Sequence, residues 1–240
     1  LFALAVLALV SRELAGLLRL KRLARLRLQA DEAAAANDQA GARAVARALV
    51  ALYQGRPETA QGRRRLAGHA GEIIDGADLL RLAERDLVAP LDGRARAMIS
   101  ASARRVSVVT AVSPRAAVDL VFVLWESLRL VRRIAALYGG RPGTIGLARL
   151  SRAVVAHLAV TGTMAAGDTL IQQIVGHGVA ARLSARLGEG IVNGLMTARI
   201  GLAAMDVCRP LPFLAAPRPR LKDLTGELVA PSRAGEAGGG

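Results

Sequence analysis

The sequence predicts an all-α, membrane-associated protein whose C-terminal half is a helical hairpin or bundle built on a Gly/Ala-rich packing helix. Apolar residues recur at three- and four-residue spacings and nowhere alternate as a half-buried strand would. Long apolar runs, Leu1 to Val10, Val106 to Trp125 and Ala153 to Val175, lie beside arginine-rich sequence. Leu183 to Phe213 reads as one helix whose small residues are confined to one face. At about 100° per residue, Gly190, Gly194, Ala198 and Gly201 form a smooth groove, with Arg199 and Asp206 on the opposite side. Gly190 and Gly194 have the spacing of close helix pairs. Each interior glycine costs about 1 kcal/mol relative to alanine, so a closely packed neighbour must offset it.

Composition narrows the function classes. The chain has 240 residues, enough to bury a core, and a formal charge of +14 in which Lys21 and Lys222 are the only lysines. Arginine and alanine richness follows from GC-rich coding, so the charge alone does not argue for nucleic acid, and no recognition module or aromatic stacking platform accompanies it. Nucleic acid is therefore not an expected partner. A single cysteine, Cys208, excludes an intrachain disulfide and a cysteine-based zinc site.

Residues 1–28 are expected to be the end of a transmembrane helix followed by a basic juxtamembrane helix. Ten apolar residues precede Arg19, Lys21, Arg22, Arg25 and Arg27, whereas a signal peptide carries its charges first. Ten residues cannot cross a hydrocarbon core that needs about 20, so the run reads as the last half of a span. The basic residues, interleaved with leucines at three-residue spacing, suit anionic headgroups of the bilayer.

Residues 29–105 read as a cytoplasmic helical region, broken at Gly55-Arg56-Pro57, with Asp75, Asp78 and Asp92 as N-caps and Pro90 ending one helix before the next. The acids between Glu72 and Asp86 interleave with Arg81 and Arg85 as surface ion pairs, not as a metal site. Residues 106–213 form a hydrophobic helical domain. Pro114 interrupts its first run, and six arginines follow between Arg129 and Arg152. A complete crossing would carry those arginines outward against the positive-inside bias, so a re-entrant or surface-lying hairpin, or a buried helix pair, fits better. The segment Ala153 to Val175 carries Ala159, Thr163 and Ala166 on one side, the natural partner for the glycine groove, and His157 and Asp168 on another. Those two either line a polar path or are satisfied inside a core. Gly176 to Ala181 has the letters of a dinucleotide turn, but a helical run precedes it and no acid lies 20 residues on, so it reads as a linker. Arg199 and Asp206 are near enough to pair, and residues 214–240 read as a disordered tail. No Walker sequence, zincin motif or nucleophile elbow occurs, so no catalytic residue, metal or cofactor is expected.

Several stretches carry a family resemblance: Ala111 to Pro114 with Asp119, Leu128 to Arg132 leading to Leu137-Tyr-Gly139, Leu183 to Gly190, Asn193-Gly194, Thr197 to Gly201 and Arg209-Pro-Leu-Pro-Phe213. On these residues the chain resembles the YcjF-like family of bacterial inner-membrane proteins, the UPF0283 family with a C-terminal DUF697 domain. The resemblance implies two N-terminal transmembrane helices, of which this sequence holds the end of the second, and a mostly cytoplasmic helical remainder. It also implies a P-loop NTPase linked to envelope stress as a candidate partner, and it supplies no catalytic residues. The expected function is a non-enzymatic scaffold or adaptor anchored in the inner membrane, with a second copy of the chain, as a homo-oligomer, among its candidate partners. The competing expectation is a transport or channel component with a polar path around His157 and Asp168.

Overall fold

A computed structural model describes residues 2–69, 75–113, 116–162 and 179–224. All regular structure among them is helical: α1 (Phe2–Ala35), α2 (Gln39–Leu52), α3 (Ala60–His69), α4 (Gly76–Ala83), α5 (Ala89–Val112), α6 (Ala116–Tyr138), α7 (Thr144–Gly162) and α8 (Val179–Cys208). Thr163, Ala166 and Asp168 lie outside the described residues.

α1 is one unbroken helix, so the apolar start and the basic stripe belong to a single rod. Its inner stripe, Leu23, Leu26, Ala30 and Ala33, is buried at three- and four-residue spacing in the common core. Asn37, at φ 50°, closes the rod in the left-handed conformation that Asn tolerates. Asp38 then caps α2 by accepting from the Ala40 amide at 2.9 Å. Asp75 caps α4 as expected, accepting from the amides of Ala77 at 2.9 Å and Asp78 at 3.2 Å. Asp78 instead pairs with Arg81 at 2.6 Å in the first turn.

Pro90 does not end a helix. α4 runs into α5 through a π-helical turn, Glu84–Val88, with Pro90 in the first turn of α5. Proline has no amide to donate to the carbonyl four residues back, and its ring crowds that carbonyl; widening the turn by one residue relieves both. The carbonyl concerned, that of Asp86, rests against Gly62 of α3 so closely that a Cβ there could not fit.

The second half is built on an antiparallel pair. α5 and α6 meet at Ser113, which is extended (φ −68°, ψ 133°) as the following proline requires. Arg56 closes the other end of α6, donating to the carbonyls of Leu137 at 2.6 Å and Ala136 at 3.1 Å. α8 lies along α5. A Cβ on Gly190 would stand 2.5 Å from the Ser107 carbonyl, one on Gly194 would stand 3.0 Å from the Ala103 carbonyl, and one on Gly201 would stand 2.7 Å from Ile99. The glycine groove is therefore filled by α5, whose Ile99, Ala103, Ser107 and Ala111 recur every four residues. Ala159 of α7, expected to fill it, is exposed. Ala198 is fully buried beside the same contact. α8 ends at Cys208, and Arg209-Pro210 starts the irregular segment that follows.

Candidate functional site

Two polar centres and one apolar end organise this bundle. The first centre is Arg209, which is 1% exposed. Its Nε donates to both carboxylate oxygens of Asp92 at 3.2 and 3.1 Å. Its Nη2 donates to Asp92 and to Glu84, each at 2.8 Å, and its Nη1 donates to the carbonyls of Leu211 at 2.7 Å and Pro212 at 2.5 Å. The guanidinium lies 3.9 Å from the Phe213 ring centroid. Tyr138 donates its hydroxyl to Asp92 at 2.6 Å. The other Glu84 oxygen accepts from the amides of Leu214 at 2.8 Å and Ala215 at 2.6 Å. Burial pulls the pKa of the guanidinium down, but the hydrogen bonds and charges of Asp92 and Glu84 outweigh it and raise it above the ordinary arginine value.

The π turn makes this centre possible. Eight residues separate Glu84 from Asp92, and in a regular helix they would stand about 80° apart around the axis. The extra residue accommodated in the π turn lets those eight residues complete two turns, bringing both carboxylates to the side where Arg209 arrives. Asp92 is therefore a buried ligand of Arg209, not an N-cap. Nearby, the Tyr53 hydroxyl is fully buried and has no hydrogen-bond partner among the described residues.

The second centre is Asp206, which does not pair with Arg199. Its carboxylate lies 3.2 Å from Nε2 of His157 and 3.3 Å from Nε of Arg218. Its carbonyl accepts from Arg27. Arg27 is thus turned into the bundle, away from the exposed Arg19, Lys21, Arg22 and Arg25. Burial pulls its pKa down, against the attraction of Asp206. Near the opposite end of α1, Glu13 caps α7. It accepts from the Thr144 amide at 2.6 Å, the Thr144 hydroxyl at 2.8 Å and the Ile145 amide at 3.2 Å. Those bonds, the Thr144 hydroxyl first, hold its carboxyl below the ordinary range.

The apolar end is the tip of the α5–α6 hairpin with the adjoining part of α8. Glu126 marks its base, accepting from Ser102 at 2.7 Å and from Nε of Arg105 at 3.1 Å. Arg129 lies 3.8 Å from the same carboxylate and stacks 5.1 Å from the Trp125 ring centroid. Beyond this belt Val112, Leu120, Val121 and Leu124 are 60–79% exposed. Val108, Val118, Leu187 and Ile191 are exposed beside them, while the acid of the tip, Asp119, is only 5% exposed. Monomeric soluble proteins rarely leave an apolar surface of this extent in water. Ala116 stands ten residues from Glu126, or about 15 Å, which is half of a hydrocarbon core of about 30 Å.

Among the described residues no group of three or more His, Cys, Asp or Glu is placed to hold a metal. One described stretch, Leu187–Cys208, is long and apolar enough to cross a membrane, and half of it is buried inside the bundle. The sequence signalled neither Arg209 nor the π turn as a centre; the Pro90 and Arg209-Pro210 positions were their visible traces.

Comparison with known proteins gives a consistent assignment. Residues 74–233 match the family model described as a domain of unknown function (DUF697). The chain is 58% identical over 225 residues to a UPF0283 membrane protein of Rhizobium etli, covering 94% of this chain and 63% of the relative. It is 55% identical over 237 residues to a UPF0283 membrane protein of Rhizobium meliloti, covering 99% of this chain and 66% of the relative. The chain thus spans less than two thirds of the length of the first of these relatives. No solved structure matches it significantly.

Proposed function

Because the chain belongs to the UPF0283 family of membrane proteins and carries its DUF697 domain, we propose that it is a non-enzymatic scaffold that holds a helical domain at the cytoplasmic face of the bacterial inner membrane and presents it to a partner. The observation that carries this reading is α1. One helix runs from the apolar start, past exposed basic residues, into the core of the bundle. An anchor joined in this way positions the domain instead of merely tethering it. The α5–α6 tip supports membrane association independently, since its exposed apolar residues are long enough to enter one leaflet above a belt of Arg105, Glu126 and Arg129. The ionised groups of the interior are engaged with one another, which suits a structural core better than a reaction centre.

The proposed partner is a P-loop NTPase active in envelope stress, bound by the cytoplasmic surface of α2 to α4. Affinity capture from detergent-solubilised membranes tests this. Recovery of an NTPase, lost when exposed residues of α3 such as Arg64 and Arg65 are replaced, is the expected result. Capture that recovers no NTPase in any detergent overturns the partner. Release of the chain by alkaline carbonate overturns the anchor.

A further inference from the structure

Near the start of α1, a cleft of about 800 Å3 opens between that helix, α6 and the α6–α7 turn. Four arginines line it: Arg12 and Arg19 from α1, Arg132 from α6 and Arg141 from the turn. No acid lines it, and the neighbouring Glu13 is occupied in capping α7. None of the four has an ion pair or hydrogen bond among the described residues, in contrast to Arg27, Arg105 and Arg209. A guanidinium does not lose its proton in a protein, so these four exposed arginines keep the cleft positively charged and open to an anion. Arg141 is held at φ 41°, a conformation costly for a residue other than glycine and of the kind retained at binding sites.

The α6 wall of the cleft identifies the anion. At 100° per residue, Val118, Val121, Trp125, Arg129, Arg132 and Ala136 fall within about 80° on one face of α6. Ala136 and Arg132 line the cleft. Arg129 stacks on Trp125, and Trp125, Val121 and Val118 are 53%, 69% and 54% exposed. The face therefore grades from arginine through an aromatic ring to aliphatic surface over about 20 Å, the polarity profile of an amphiphile at a membrane interface. Arg12 lies two residues beyond the apolar start of α1, and Arg132 seven beyond Trp125. The cleft thus joins the two places where apolar sequence gives way to charge. A free phosphate would fill the cleft and leave the strip bare; a lipid uses both.

We propose that this cleft binds the phosphate headgroup of an anionic phospholipid, with the acyl chains laid along Trp125, Val121 and Val118. The site rests on the membrane reading given above and adds to it a lipid preference. The test is lipid binding by the detergent-solubilised chain, followed by native mass spectrometry with phosphatidylglycerol, phosphatidylcholine or inorganic phosphate as the probe. Phosphatidylglycerol is expected to be retained in preference to phosphatidylcholine. A juxtamembrane basic residue contributes about fivefold to anionic-lipid affinity, so Arg132→Gln with Arg141→Gln lowers retention about 25-fold. Arg64→Gln with Arg65→Gln removes the same charge from exposed positions on α3 and changes retention less than twofold. Arg19→Gln, a change within α1 that leaves the turn intact, lowers it about fivefold. Equal losses in the cleft and α3 variants would overturn the site in favour of diffuse charge attraction. Inorganic phosphate binding as tightly as the lipid would overturn the lipid assignment. Carbonate release of the chain would overturn the anchor and the lipid site together, whereas failure of the arginine variants alone leaves the anchor standing.

Discussion

Replacing Arg209 with methionine keeps most of the side-chain volume and removes the charge that joins four parts of the chain. Both carboxylates it pairs with are buried, Glu84 at 0% and Asp92 at 6% exposure. After the change Asp92 retains the Tyr138 hydroxyl and Glu84 retains two backbone amides, and the carbonyls of Leu211 and Pro212 lose their donor. Removing one partner of a buried ion pair costs about 3–5 kcal/mol, because the charge left behind is uncompensated. In a domain of this size that corresponds to a fall of roughly 6–20 °C in midpoint temperature. The assay is thermal unfolding of the detergent-solubilised chain followed by circular dichroism, with the variant and parent in the same micelles. The triple variant Arg209→Met, Asp92→Asn, Glu84→Gln separates stranded charge from lost packing and recovers at least half of the deficit. A loss below about 1 kcal/mol, the range of exposed pairs, would refute the view that this ion triad holds the bundle together. So would a triple variant less stable than the single one.

The two buried tyrosines behave oppositely. Tyr138→Phe removes a hydrogen bond to a carboxylate and costs about 1.5–3 kcal/mol, while Tyr53→Phe removes an unpartnered hydroxyl and is neutral or stabilising, both read by chemical denaturation. Gly62→Ala drives a Cβ into the Asp86 carbonyl and costs about 1–3 kcal/mol, whereas Gly93→Ala meets open space and gains up to about 1 kcal/mol, measured in the same way. Glu13 has a folded pKa below its unfolded one, so its contribution is present above the ordinary glutamate pKa of about 4.3 and is lost as pH falls through the folded value. Hydrogen exchange at the Thr144 and Ile145 amides should therefore speed up on acidification in the parent and be fast already at neutral pH in Glu13→Gln. Burial pushes the Cys208 thiol up to about 12, so maleimide labelling at neutral pH should follow global unfolding instead of direct access.

What the sequence made legible were the features written in local chemistry. Gly55-Arg56-Pro57 and Ser113-Pro114 break helices where proline geometry and positive φ demand it, and the glycine stripe of α8 announced a close neighbour. The identity of that neighbour was hidden because alanine is common throughout the chain. Ala103, Ser107 and Ala111 on α5 are as regular in sequence as Ala159, Thr163 and Ala166, and it is the close approach of α5 to Gly190 and Gly194 that singles out the first set. Arg209 was beyond reach for a different reason. Its carboxylates lie 117 and 125 positions away, and Asp92 beside Pro90 has the local look of a cap. A π turn leaves no periodicity of its own, so the alignment of Glu84 with Asp92 could be recognised only in three dimensions.

The attachment of α1 at two separated points has a mechanical meaning. Glu13 grips α7 and Arg27 grips Asp206, about 21 Å apart along one rod. A single hinge would let the bundle swivel beneath the bilayer, whereas two grips resist rotation about every axis except that of the rod itself. A tilt imposed on the apolar start, as by a change of bilayer thickness under the proposed anchoring, would thereby become an equal tilt of the whole bundle. On the proposed anchoring, the exposed surface of α2 to α4 turns with it, so the two grips would couple the tilt of the apolar start to the direction that surface faces.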